Sequence, residues 1–184
     1  MTREDAFILL QRHVKSEKMI IHSLCAESVL KAIAENKDKD VEKYAMAGLL
    51  HDIDVEITNA DPQTHGLKSR EILQEAGIDE DIIDAIEMHN EEASGKERST
   101  FFQHALAAGE TITGLIFATA LVYPDRKIAS VKYKSVKKRM KEKAFAASVK
   151  RENIMECEKL GMDLDEFIRI SVDAMREISD EIGL

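Results

Sequence analysis

Six residues have side chains suited to holding divalent cations: His22, the adjacent pair His51-Asp52, His65, His89 and Glu110. An imidazole or a carboxylate is costly to bury unless something replaces the water it loses. Taken singly, each of these histidines reads as a hydrogen-bonded core residue. Taken jointly, they come from five different predicted helices or helix ends, and each histidine can face the same interior. Several isolated imidazoles in one core would each need a partner, whereas one or two divalent cations would satisfy them all. A metal site is the economical explanation.

The elements that must position these groups are helical. Residues 3–13 can form a short amphipathic helix. Residues 17–35 form a stronger one, with Met19, His22, Ala26, Val29 and Ile33 at helical spacing. After the polar turn "ENKDKD", the stripe Val41, Tyr44, Ala47, Gly48 and His51 ends on an inward imidazole. Asp61-Pro62 has the form of an N-cap followed by proline at the first helical position, so a helix is expected from there to Gly77, with His65 in its first turn. Residues 79–91 open acidic and align Ile82, Ala85, Ile86 and His89. The stretch "EEASGKERS" reads as an exposed loop. A long apolar helix is expected over about residues 100–122, with Leu106, Glu110, Thr113, Gly114 and Phe117 on one face and Pro124 ending it. A basic segment and helices over roughly 151–160 and 163–182 follow.

Composition agrees with an all-α fold. Aromatic residues make up 5% of the 184, tryptophan is absent, and Ala, Leu, Ile, Glu and Lys dominate. The length suits one domain spanning 1–184, its C-terminal helices (about 125–184) packing on the core. A formal net charge of -9 argues against a general nucleic-acid binder, which needs cations to neutralise phosphates. Cys25 and Cys157 form no C-x-x-C pair and read as reduced thiols. The N-terminus does not read as a signal segment, and "ITGLIFATALVYP" is too short to span a bilayer. A cytoplasmic protein with no membrane partner is expected.

The order His22, His51-Asp52, then the later acid Glu110 resembles the HD superfamily of metal-dependent phosphohydrolases. The resemblance covers most of the chain. His65 in "THGLKSREIL" and His89 in "IEMHNE" look like the two extra histidines of members with a two-metal centre. "ETITGLIFATALV" and "KSVKKRMKEKAFAASVKRENI" resemble the C-terminal part of the small HDIG-type subgroup. The resemblance implies an HD-domain helical bundle. It further implies that His22, His51, Asp52 and Glu110 hold one metal and that His65 and His89 hold a second, with Asp52 as the bridging, catalytic carboxylate. Two departures stand out: Glu110 occupies the place of an aspartate, and "HDID" replaces "HDIG", so Asp54 is either a group supporting a ligand or a solvated turn residue.

Mixed imidazole and carboxylate ligation suits Mn, Fe, Co, Ni or Zn better than Ca. The absence of cysteine ligands fits a site open to water and substrate. Two such ions about 3.5 to 4 Å apart can activate hydroxide and clamp a phosphate under attack. The resulting expectation is hydrolysis of a small phosphorylated metabolite or nucleotide, as a phosphomonoesterase or phosphodiesterase. Lys68, Lys137 and Lys138 are the candidate phosphate binders; the competing reading is a solvated surface. His104 is expected as a core residue or one that supports a ligand. Homo-oligomerisation is left open. So are two further classes, a catalytically silent nucleotide-sensing protein and a di-iron oxygen-using enzyme, with nucleic-acid binding through the basic 132–143 helix ranked last.

Overall fold

The computed structural model describes residues 1–183, which form ten α-helices, two short 3-10 turns and no strand among the described residues. In chain order the helices are α1 (Arg3–His13), α2 (Glu17–Asn36), α3 (Val41–Leu50), α4 (Leu67–Glu75), α5 (Glu80–Met88), α6 (Glu91–Ser94), α7 (Phe101–Leu121), α8 (Tyr133–Met140), α9 (Arg151–Met155) and α10 (Leu164–Glu177). The all-α expectation is met. Side-chain oxygens of Thr2, Asp40, Thr100 and Asp163 accept from backbone N–H groups in the first turns of α1, α3, α7 and α10, satisfying donors that a helix start leaves free.

Helix α2 is central, packing against α3, α7 and α10. Two glycines set how closely its neighbours approach. A Cβ on Gly48 of α3 would lie 2.6 Å from the Ala26 carbonyl oxygen, and one on Gly109 of α7 would lie 2.5 Å from Leu30 Cδ2. Around these contacts Leu30, Ile33, Leu49, Leu50, Leu106 and Ile112 are fully buried, each contributing roughly 1.5–3 kcal/mol of hydrophobic burial. Two of these three helices carry a histidine of the candidate site, so the same close approach that excludes water also brings His22 and His51 together.

Four sequence expectations change. The helix expected from Asp61 starts instead at Leu67, after turns, and His65 precedes it. The cause is Asp54: its Oδ2 accepts from Gly66 N (2.8 Å) and Ser69 N (3.2 Å), capping α4 from a distant turn, while Gly66 takes a φ of 95° suited to glycine. Asp61 caps only a local turn, accepting from Gln63 N. Second, "EEASGKERS" is no simple exposed loop, because Glu91–Ser94 form α6 and Arg98 is buried. Third, α7 runs unbroken for 21 residues and is long and apolar enough to cross a membrane by length and composition, contrary to the reading of its apolar stretch as too short. Its most apolar window is 67% buried within the fold, against α2, α5 and α9 among others. The C-terminal stretches also shorten: 151–160 divides into α9 and a 3-10 turn (Glu156–Leu160), and α10 ends at Glu177.

Segment 141–150 forms no helix; Phe145, Ala146 and Val149 pack against the core, and Arg151 grips its backbone. Arg151 Nη1 donates to the carbonyls of Ala146 and Val149 (both 2.7 Å), and Nη2 donates to those of Phe145 and Arg139. Gly48→Ala is expected to lower unfolding free energy by about 1–3 kcal/mol or more, because the new methyl meets backbone that cannot rotate away. Urea denaturation checks this, and a variant as stable as the wild type would show that α2 and α3 can separate freely.

Candidate metal centre

His51 and Asp52 lie at the end of α3, where the small residues Ala47 and Gly48 let the helix run deep against α2. His22 comes from the middle of α2, His89 is the C-cap of α5, His65 sits in the turn before α4, and Glu110 is on α7. The structure brings these groups together. Asp52 is shared between two sets: its Oδ2 lies 3.5 Å from His22 Nε2 and 3.4 Å from His51 Nε2, and its Oδ1 lies 3.0 Å from His65 Nε2 and 3.7 Å from His89 Nε2. Two groups able to hold a metal ion result, His22–His51–Asp52 and Asp52–His65–His89.

The outward ring nitrogens determine how these imidazoles face the centre. His51 Nδ1 meets the Gly48 carbonyl at 2.8 Å and His89 Nδ1 meets the Ile86 carbonyl, and a carbonyl can only accept, so both Nδ1 atoms carry the proton. Thr113 Oγ1 gives its own hydrogen to the Glu110 carbonyl and therefore accepts from His22 Nδ1 at 3.0 Å. His65 Nδ1 lies 2.8 Å from Asp54 Oδ1, at ion-pair distance although not aligned as a hydrogen bond. All four Nε2 atoms thus point inward. His22 and His51 place theirs 3.1 Å apart, and His65 and His89 place theirs 3.0 Å apart. With their Nδ1 atoms protonated, the neutral rings of His22 and His51 present lone pair to lone pair, a buried arrangement that a cation relieves, whereas His65 is held charged and its Nε2 donates toward Asp52 Oδ1.

The local electrostatics follow from this crowding. Burial pushes His51 and His89 down to about 4, with the Asp52 charge opposing it. Burial alone would raise Asp52, but His51 and the other imidazoles hold it well below the usual carboxylate range. Burial would lower His65, yet its contacts with Asp52 and Asp54 outweigh that and raise it to about 10. Burial pushes Glu110 up to about 8, against the hydrogen bond from Thr111.

Other expected residues fall at varying distances from this centre. Glu110 Oε2 reaches to 3.9 Å of His22 Nε2 but belongs to neither three-residue group. Lys68 pairs with Glu71, Lys137 with Asp165 at 2.6 Å, and Lys138 lies 3.7 Å from Glu142, so none of the three candidate phosphate binders makes an ion pair with the cluster. Nor do Lys137 and Lys138 line the cavity beside His22. That helix faces the start of α10, and its charges are largely neutralised there or by Glu142. His104 Nδ1 meets Glu156 at 2.7 Å, as a supporting residue. Cys25 lines the cavity but is 1% exposed, and burial raises its thiol to about 12. Asp54, left open by the sequence, is fully buried and positions both His65 and α4.

Arg98 was not legible in the sequence. Its guanidinium donates to the carbonyls of Met88 and His89 (3.0 and 3.1 Å), to Asn153 Oδ1 and to Glu156, tying α5, the α9 region and the His89 turn together. Asn153 passes the network on to Thr111 Oγ1, beside Glu110.

Against this geometry, the model of the HD domain matches residues 19–121, more than half of the chain. The chain belongs to the HD domain family. Relatives at low identity share the same region. Ribonuclease Y of Mycoplasma mycoides is 33% identical over 97 residues, covering 53% of this chain and 22% of the relative. Ribonuclease Y of Nitratidesulfovibrio vulgaris is 30% identical over 99 residues, covering 54% and 18%. The match therefore spans about a fifth of the length of these curated relatives, and no solved structure matches. The HD domain here carries the His51-Asp52 pair at the C-terminal end of α3, with the remaining imidazoles gathered around it.

Replacing Asp54 tests how far the outer partners tune the centre. Asp54→Asn is expected to weaken transition-metal binding roughly 10–100-fold, the usual cost of losing a carboxylate behind a ligating histidine. Competition against a chelating dye measures this, with circular dichroism confirming retained helix. Unchanged affinity would mean that His65 is not oriented by Asp54.

Proposed function

We propose that this HD domain is a metal-dependent phosphohydrolase acting on a small phosphorylated molecule. The observation that carries the reading is the paired Nε2 atoms 3.0–3.1 Å apart around one carboxylate, with their Nδ1 atoms directed at acceptors or at the Asp54 carboxylate. His22, His51 and Asp52 would hold one divalent ion and Asp52, His65 and His89 a second; Mn, Fe, Co, Ni and Zn suit this donor set. When bound, such ions supply Lewis acidity toward a phosphoryl oxygen and lower the pKa of water.

The chain's own residues supply the rest. The four locked rings hold the donor atoms in place without rotamer searching, and Asp52 joins the two halves of the centre. His51, with a side chain 1% exposed, closes the inner end, whereas His22, at 24%, faces the outside. A phosphate therefore approaches from the His22 side. Glu110, adjoining His22, would complete the first ion's shell or face the phosphate. The reading includes Asp52 as the catalytic bridging carboxylate and a cytoplasmic protein with a small-molecule partner; the burial of α7 against other helices fits a core helix and not a membrane span.

RNA hydrolysis is the second reading, favoured by the ribonuclease Y names of the relatives. The net charge of -9 and the paired basic side chains of α8 weigh against it.

The test is metal content by elemental analysis, coupled to phosphatase, phosphodiesterase and RNase assays with Mn, Co, Ni and Mg added back. One to two transition-metal ions per chain and metal-dependent release of phosphate from a small ester are expected. Asp52→Ala is expected to strip both ions and abolish turnover while leaving the helical fold. Metal without turnover would favour a sensor, or an oxygen-using di-iron enzyme if iron and oxygen consumption are found. A metal-free protein under every loading condition would overturn the reading.

A further inference from the structure

A cavity of about 320 Å³ opens beside His22, the most exposed group of the metal cluster. Its wall is chiefly apolar: Met19 of α2, Phe117, Ala118 and Leu121 of α7, and Val149 of the 141–150 segment. Phe117 is half-buried and does not pack with the core cluster, and Leu121 is 46% exposed. At the rim stands Lys18, exposed and one helical turn before His22, with no carboxylate within ion-pair distance among the described residues. Unlike Lys68, Lys137 and Lys138, it is free to meet an incoming anion.

We infer that this cavity seats the apolar alcohol portion of a phosphomonoester, a group of about two fused rings, with its phosphate held between Lys18 and the His22 side of the cluster. The inference rests on the phosphohydrolase reading and narrows its substrate class. Size supports it, since a dry cavity of about 150 Å³ accepts one benzene ring and this one is about twice as large. Polarity supports it too. A nucleobase would need several donors and acceptors for its edges, yet Thr113 Oγ1 is already engaged by His22 and the Glu110 carbonyl, and Cys25 is buried. Ser148 is the one remaining lining hydroxyl, so a base would enter with polar edges unmatched, a penalty an aryl or alicyclic group avoids. In the reaction this implies, water adds to phosphorus, the P–O bond to the alcohol breaks, and the alcohol leaves with a proton, giving inorganic phosphate.

Binding of two non-hydrolysable probes to the metal-loaded protein, 1-naphthylmethylphosphonate and methylphosphonate, tests the cavity without requiring turnover. The naphthyl probe is expected to bind about 100-fold more tightly, reflecting burial of its rings. Ala118→Leu, which fills the cavity, is expected to reduce that ratio to about tenfold or less, and Lys18→Ala to weaken both probes alike, leaving the ratio intact. Phe117→Ala serves as a second cavity variant should the leucine disturb folding, and circular dichroism distinguishes these cases. Equal affinity for the two probes, each strengthened by metal, would overturn the cavity assignment while sparing the hydrolase reading. If metal strengthens neither phosphonate, the hydrolase reading fails, and with it the substrate assignment; neutral 1-naphthol, blocked by the leucine variant, would then report the cavity as an apolar site only.

Discussion

The molecule is organised around one carboxylate. Asp52 lies in the interior with four imidazole nitrogens directed at its two oxygens, an arrangement that places titratable groups where an apolar core would otherwise be. Everything near it serves to keep those rings from turning. The Gly48 carbonyl, the Ile86 carbonyl, Thr113 and Asp54 each take up an outward Nδ1, and these partners come from α3, α5, α7 and the turn after α3. The His22–Thr113 contact ties α2 to α7, whereas those of His51 and His89 stay within their own helix ends, so the packing of the helices must set their spacing. Gly48 and Gly109 allow the required approach because the space a methyl would occupy is already filled by backbone in one case and by Leu30 in the other.

Much of the centre was legible because helical periodicity and residue type reinforce one another. His22, His51 and His89 end or interrupt apolar stripes, so their inward direction follows from spacing alone. His65 joined the set by residue type and its place in an expected helix, and its local setting was misread. The Asp61-Pro62 pair carries every local mark of a helix start, but it caps only a local turn at Gln63, while a buried carboxylate twelve positions before Gly66 takes the Gly66 and Ser69 donors and sets the start of α4 by long-range contact. Such a cap cannot be seen in any short window of sequence. Arg98 escaped for a related reason: it lies in a polar, unpatterned stretch, and only the tertiary fold surrounds it with carbonyls and Glu156.

The lysines show the opposite failure. Lys137 and Lys138 were attractive because a run of cations suggests an anion site, yet charge density in the sequence does not reveal which charges already have partners. Asp165 and Glu142 lie beyond the run or at its edge and take up both. Lys18 attracts little notice in sequence, flanked by Glu17 and Met19, and its position one turn before His22 gains meaning only when the cavity is seen. For a charged side chain, the absence of a competitor matters as much as the presence of a target.

The two sides of the cavity differ in how they are built. The side facing the His22 cluster belongs to α2 and α7, whose spacing is fixed by the core. The opposite side includes the 141–150 segment, where Arg151 grips backbone carbonyls while Phe145, Ala146 and Val149 pack against the core. Because backbone oxygens are present whatever the residue type, that grip tolerates exchange of Ser148, whereas Ala146 and Val149 are also held by their packing on the core. The far wall of the cavity can thus vary at its unpacked positions, while the groups around Asp52, rooted in the packed helices, keep their places.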